Sequence, residues 1–78
     1  MPEVVLYSRP GCGLCDQARD VLIAERERTP FDYREVDISG DDALELEYGI
    51  RIPVVSVDGV ELFEIRVNPA ELAAAVRR

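Results

Sequence analysis

Two cysteines, the only two in the chain, stand three positions apart in Ser8-Arg9-Pro10-Gly11-Cys12-Gly13-Leu14-Cys15. A short β-type run, Val4-Val5-Leu6-Tyr7, precedes them and an amphipathic helical stretch follows. Pro10 and Gly11 bar both a continued strand and an early helix, so the pair falls where a strand has ended and a helix begins. The first N–H groups of a helix have no partner within it and can donate to a thiolate. Side chains at i and i+3 at a helix start also reach disulfide geometry without unwinding the turn. A Cys-x-x-Cys in this setting is a redox-active pair, half of a metal site, or a structural crosslink.

The chain holds no His and no third Cys, so a closed four-ligand zinc site would need a second copy or carboxylates. A structural disulfide closing so short a loop would restrain the unfolded chain little. The redox reading has a direct physical basis, because the thiolate is the attacking species in disulfide exchange. The helix start favours a Cys12 thiolate by ~0.3–1 kcal/mol, up to roughly 2 when partly buried, which lowers its pKa by roughly 0.2 to 1.5. Asp16 opposes that charge and Arg9 favours it. Cys12 is expected clearly below the free-thiol value of about 8.5. Cys15, beside the apolar face of the helix, is expected to be shielded, with the higher pKa, and to act as the resolving thiol.

Elements alternate along the chain. Glu3 to Tyr7 reads as a strand covered on both faces. From Cys12 or Gly13 to about Arg28, apolar residues at Leu14, Ala18, Val21 and Leu22 mark one helical face. Glu25, Arg26, Glu27 and Arg28 form a charged, solvated last turn, and Thr29-Pro30 stops the helix. Phe31 to Ile38 predicts a second strand, parallel to the first across a right-handed crossover. Ser39 is the expected N-cap of a short helix over Ala43 to Tyr48, ended by Gly49. Val54 to Val57, Asp58-Gly59 and Val60 to Ile65 spell a hairpin with a two-residue type I′ turn. Asn68, Pro69 and Glu71 open a last helix whose buried stripe is Leu72, Ala73 and Val76, and Arg77-Arg78 suit its C-terminal dipole.

At 78 residues the expectation is one domain, residues 1–78, able to bury about 60–65% of its unfolded surface. No repeat is visible, and no run approaches eighteen apolar residues. A formal charge of −7 argues against nucleic acid or an anionic membrane as partner, since phosphate binding needs clustered Lys and Arg. Met1-Pro2-Glu3 lacks the basic and apolar regions of a signal peptide. The expected location is the cytoplasm, where a Cys pair is more often catalytic or metal-binding than structural.

The order β-α-β-α-β-β-α, with two parallel strands, an antiparallel hairpin and helices on both faces of a four-stranded mixed sheet, is the layout of the thioredoxin fold, and the Cys-x-x-Cys matches its redox motif. Tyr7-Ser8-Arg9-Pro10-Gly11-Cys12-Gly13-Leu14-Cys15 resembles the Tyr-Ser-Lys-x-x-Cys-Pro-Tyr-Cys opening of glutaredoxins. Ile52-Pro53-Val54 resembles their Val-Pro segment at the start of the hairpin. The similarity runs over essentially the whole chain and is strongest to small glutaredoxin-like proteins with a Cys-x-Leu-Cys site followed by Asp. Leu6 stands where thioredoxins carry a buried Asp, which favours the glutaredoxin side.

The resemblance implies a monomeric dithiol oxidoreductase with an electron-transport role, Cys12 its nucleophile and Cys15 its resolving thiol. Disulfide-containing proteins or glutathione mixed disulfides would be substrates. No cofactor need be bound; glutathione, another low-molecular-weight thiol or a reductase would be the reductant. It implies a cis Ile52-Pro53 bond facing the cysteines, with the Ile52 backbone pairing with an extended substrate and Pro53 excluding metals. Arg9 is either a solvated side chain or, at the family's Lys position, a bidentate partner for a glutathione carboxylate that also supports the Cys12 thiolate, and Tyr7 would serve strand packing or ligand contact. One departure bears on glutathione: where glutaredoxins carry Gly-Gly and an Asp, Phe63-Glu64-Ile65-Arg66-Val67-Asn68 has no glycine, although Arg66 could replace some anion recognition. Two non-catalytic readings stay open. One is a redox-inert thioredoxin-like adaptor; the other is a glutathione-dependent iron–sulfur cluster carrier, since some glutaredoxins with Gly after the first Cys, here Gly13, hold such a cluster between two copies.

Overall fold

A computed structural model describes residues 1–77; Arg78, and any part it has in capping the last helix, lies outside the described residues. Seven elements follow one another: β1 (Glu3–Ser8), α1 (Gly13–Arg28), β2 (Asp32–Asp37), α2 (Asp42–Tyr48), β3 (Val54–Val57), β4 (Val60–Glu64) and α3 (Pro69–Val76). The strands form one mixed sheet in the order β2-β1-β3-β4. The all-apolar run Val4-Val5-Leu6 makes β1 an interior strand, and all three side chains are buried. β1 runs parallel to β2, with Tyr7 opposite Val36, and antiparallel to β3, with Tyr7 opposite Val54.

Asp58 and Gly59 join β3 to β4 with φ of +52° and +84°, the left-handed pair a type I′ turn requires. The turn is tied to the start of β1: Asp58 N–H donates to the Glu3 carbonyl at 2.8 Å, and Glu3 N–H donates to Asp58 Oδ1 at 2.9 Å.

Alternation along the strands sorts side chains onto two faces. Val4, Leu6, Val55, Val57 and Phe63 pack with Ala18 and Leu22 of α1 and with Leu72, Ala75 and Val76 of α3. Each such large apolar side chain is worth about 1.5–3 kcal/mol when fully buried, so this layer is the core. Val5, Tyr7, Val54 and Ser56 point the other way, toward the face on which Tyr48 of α2 meets Tyr7.

Four local expectations are corrected. Asp41, not Ser39, caps α2: its side chain accepts from Leu44 N–H at 3.0 Å, while Ser39 is held through its own N–H to Asp37 Oδ1. Ala75 rather than Ala73 completes the buried stripe of α3. Phe31 and Ile38 are buried but flank β2 instead of belonging to it, and Ile65 likewise lies beyond β4. Glu25, expected in a solvated turn, is 4% exposed. Its carboxylate is held by Arg77, whose Nε donates to Oε2 at 3.2 Å, with Arg28 at 3.8 Å from Oε1.

Candidate active site

Cys12 is the N-cap of α1, its backbone extended at φ −98° and ψ 106°. Gly11 before it takes φ +76°, a conformation that favours glycine and that turns the chain from the end of β1 onto the helix axis. The Cys12 sulfur accepts the backbone N–H of Cys15 at 3.1 Å, so a sulfur fills the place of a capping oxygen. The two cysteines are paired as a disulfide with Cα atoms 5.2 Å apart. They differ in access: Cys12 is half-buried, whereas Cys15 is 0% exposed.

Ile52-Pro53, a cis bond, leads into β3. Because Val54 pairs with Tyr7, this segment enters the sheet at the end where the Ser8–Gly11 loop leaves it. Pro53 is buried and Ile52 half-buried. Ile65, just past β4, donates its N–H to the carbonyls of Pro53 at 2.8 Å and Arg51 at 3.2 Å. Ile65 does so at φ +71°, an outlier for a β-branched residue, and no sequence pattern signals it. A small cavity of about 140 Å³ lies between Leu14, Gln17 and Val21 of α1 and Ile65, Arg66 and Val67. Leu14, which stands between the two cysteines in sequence, is one of its walls.

Arg9 and Tyr7 serve α2. Arg9 Nη2 donates to the Gly49 carbonyl at 3.5 Å and lies 3.8 Å from Glu45 Oε1, and its buried Nε has no partner among the described residues. The polar partners found for Arg9 are thus on and just after α2. Tyr7 stacks on Tyr48 with ring centroids 4.1 Å apart and planes 16° from parallel. Burial, followed by the neighbouring Tyr7, pushes the Tyr48 phenol up to about 12.

A second network borders the cysteine loop and was not legible in sequence. Buried Ser8, the last residue of β1, donates its hydroxyl to Glu35 Oε2 at 2.7 Å. Arg19 forks onto Glu35, with Nε 2.8 Å from Oε1, and also reaches Asp16 Oδ1 at 2.7 Å. The Tyr33 hydroxyl donates to Glu35 Oε1 at 3.1 Å. Hydrogen bonds from Arg19 and then Ser8 bring the Glu35 carboxyl down to about 2. Burial, reinforced by Glu35, brings the Tyr33 phenol up to about 12. For the cysteines the consequence is electrostatic: Asp16, the acid expected to oppose a Cys12 thiolate, is ion-paired by Arg19.

Among the described residues, no group of three or more His, Cys, Asp or Glu is arranged to hold a metal ion. An ion or cluster bound to Cys12 and Cys15 would take its remaining ligands from outside this set. What the pair itself can do is exchange: one accessible sulfur at a helix start, one shielded sulfur within bonding reach of it.

Comparison with known proteins agrees with this geometry. A family model described as Glutaredoxin-like domain (DUF836) matches residues 3–77. An uncharacterized protein of Mycobacterium tuberculosis is 32% identical over 82 residues, covering 99% of this chain and 84% of the relative. A structural-genomics target protein from X. campestris superposes with a TM-score of 0.77 at 38% identity, covering 91% of each chain. A mutant thioredoxin from Halobacterium salinarum superposes with a TM-score of 0.70 over 97% of this chain and 72% of its own. At 21% identity that last likeness speaks for the thioredoxin fold alone.

Proposed function

The chain belongs to the glutaredoxin-like domain family (DUF836), and we propose that it is a dithiol thiol–disulfide oxidoreductase. The observation that carries this reading is the asymmetry of the pair: Cys12 caps α1, half-buried, with a backbone N–H on its sulfur, while Cys15 is fully buried one turn on. In the reduced protein, the Cys12 thiolate attacks one sulfur of a substrate disulfide. A Cys12–substrate disulfide forms, and the other substrate sulfur leaves as a thiolate and takes up a proton. Cys15 then gives up its proton and attacks the Cys12 sulfur, releasing the second substrate thiol and closing Cys12–Cys15. Two electrons pass from the cysteine pair to the substrate. Two equivalents of a low-molecular-weight thiol such as glutathione, or a dithiol reductase, reopen the pair and leave as a disulfide.

Disulfide-containing proteins or glutathione mixed disulfides are the proposed substrates, with the Ile52-Pro53 backbone as the edge against which an extended substrate lies. Arg9 is the proposed contact for a glutathione carboxylate and Tyr7 for strand packing or ligand contact; both also touch α2 or its end, Arg9 through Glu45 and Gly49 and Tyr7 through Tyr48. The proposed setting is the cytoplasm, in keeping with a thiol pair that must be reset by reductants; among the described residues no helix is long and apolar enough to cross a membrane. The protein is proposed to act as a monomer without a bound cofactor.

The test is a pair of single substitutions. Cys12→Ser should abolish reduction of protein disulfides, and Cys15→Ser should accumulate mixed disulfides through Cys12. Full turnover by Cys12→Ser, or no trapped species with Cys15→Ser, would refute the assigned roles.

A further inference from the structure

Arg51 immediately precedes Ile52-Pro53, and its guanidinium spends every nitrogen inside the molecule. Nε donates to Glu64 Oε2 at 2.8 Å and Nη2 to Glu61 Oε1, both on β4. Nη1 donates to the Glu47 carbonyl at 3.1 Å and lies 3.7 Å from the Glu47 carboxylate, on α2. The guanidinium carbon sits 5.7 Å from the centroid of the Tyr48 ring, the ring that stacks on Tyr7. Main-chain bonds repeat the pattern: Arg51 N–H donates to the Tyr48 carbonyl at 2.8 Å, and the Arg51 carbonyl accepts from Ile65 at 3.2 Å.

Resting on the oxidoreductase reading above, we propose that Arg51 is a positioning residue, the clamp that sets Ile52-Pro53 and Ile65 at the distance from the cysteine pair that an extended protein substrate needs. The reason lies in what flanks it. α2 buries none of its residues, so it contributes little packing of its own to fix the segment that follows. Glu47, Glu61 and Glu64 converge on one cation. Without that cation they repel one another across the segment, and α2 and β4 move apart with Ile52-Pro53 between them. Three nitrogens addressing three acidic residues is a task for a planar guanidinium fork; a lysine ammonium would meet one of them at a time. Arg51 is therefore not available as a receptor for a substrate carboxylate, and its effect reaches the substrate through the backbone it holds.

The experiment compares the wild type with Arg51→Met and Arg51→Lys, using insulin disulfides as substrate and dithiothreitol as reductant. Arg51→Met should raise KM roughly tenfold while kcat stays within about twofold, the signature of lost binding without lost chemistry. Arg51→Lys should recover part of that loss, and the pH profile of Cys12 alkylation should not move. Amide hydrogen exchange supplies a readout independent of activity: the Ile65 N–H should exchange roughly tenfold faster in Arg51→Met, with Leu22 in the core unchanged. If Arg51→Met misfolds, Glu64→Gln, which removes one arm of the clamp, should show the same KM rise and Ile65 exchange in smaller measure. Unchanged KM and unchanged Ile65 exchange would overturn the proposal, as would equal losses in kcat and KM with a shifted alkylation profile. An inactive wild type would refute the oxidoreductase reading instead, and with it the positioning role that rests on it, even if Ile65 exchange responds.

Discussion

The ring of Tyr48 lies flat on the ring of Tyr7, 4.1 Å between centroids, and this contact joins α2 to the central strand. None of the residues of α2 is buried, so the stack carries a share of its attachment that core packing carries for α1 and α3. Tyr7→Ala and Tyr48→Ala should each destabilise the protein, and a double-mutant cycle by urea unfolding should give a coupling of about 0.5–1.5 kcal/mol. Additive losses would mean that the rings touch without holding the helix.

Glu25 and Arg77, 52 residues apart, tie α1 to the end of α3. The carboxylate is almost fully buried while the arginine side chain is 52% exposed, so the two partners are not equivalent. Arg77→Met leaves the buried carboxylate only the more distant Arg28, at 3.8 Å, and should cost about 1.5–3 kcal/mol. Glu25→Leu leaves an arginine that can turn into water, and should change stability by less than about 1 kcal/mol. Urea midpoints of the two variants decide; equal losses would contradict this asymmetry.

The Glu35 carboxyl, brought down to about 2 mainly by the Arg19 hydrogen bond, gives stability a defined dependence on pH. Its folded-state pKa lies below its unfolded value, so its contribution is fully present above about 4.5 and is lost as pH falls toward 2. The group is largely exposed and solvent-screened, so the contribution is about 1 kcal/mol or less. Wild type and Glu35→Gln should therefore differ in thermal stability at pH 6 and converge near pH 2, and the difference should shrink in high salt. A constant difference across that range would show that Glu35 does not titrate in this way.

Ile65 occupies the left-handed region at φ +71° and is 38% exposed. Relief of that conformation, about 1–2 kcal/mol, offsets the backbone entropy of a glycine, roughly 0.5–1 kcal/mol. Ile65→Gly should thus leave stability within about 1 kcal/mol of wild type. Ile65→Pro, which forbids this φ and removes the N–H bonded to Pro53 and Arg51, should cost about 3 kcal/mol or more. Thermal melts of the two variants check the contrast; a large loss with glycine would mean that the side chain carries the segment.

What could be read from the sequence was local chemistry. Asp58-Gly59 specifies its own turn, Asn68 accepts from Glu71 N–H at 3.0 Å as an N-cap should, and Cys12 lies at the helix start that the Pro10-Gly11 break predicts. Ser39 was the expected cap of α2 and Asp41 is the observed one, because Asp37 holds Ser39 away from the helix start. The long-range partners were out of reach of any spacing rule. Arg9 finds Gly49 at a separation of 40 residues, Arg19 finds Glu35 at 16, and Glu25 is buried by Arg77. At the site, the two cysteines and Pro53 were visible as motif residues, whereas Arg51 matters through guanidinium partners on α2 and β4 and Ile65 through its N–H and a positive φ, which no residue pattern reports.

In the proposed mechanism Cys12 is the activated cysteine and Cys15 the sheltered one, a difference that the pH dependence of alkylation at each cysteine of the reduced protein reads out by mass spectrometry. Cys12 should react with an apparent pKa below about 7.5 while Cys15 stays slow across the range. Two thiols titrating together near 8.5 at similar rates would contradict it.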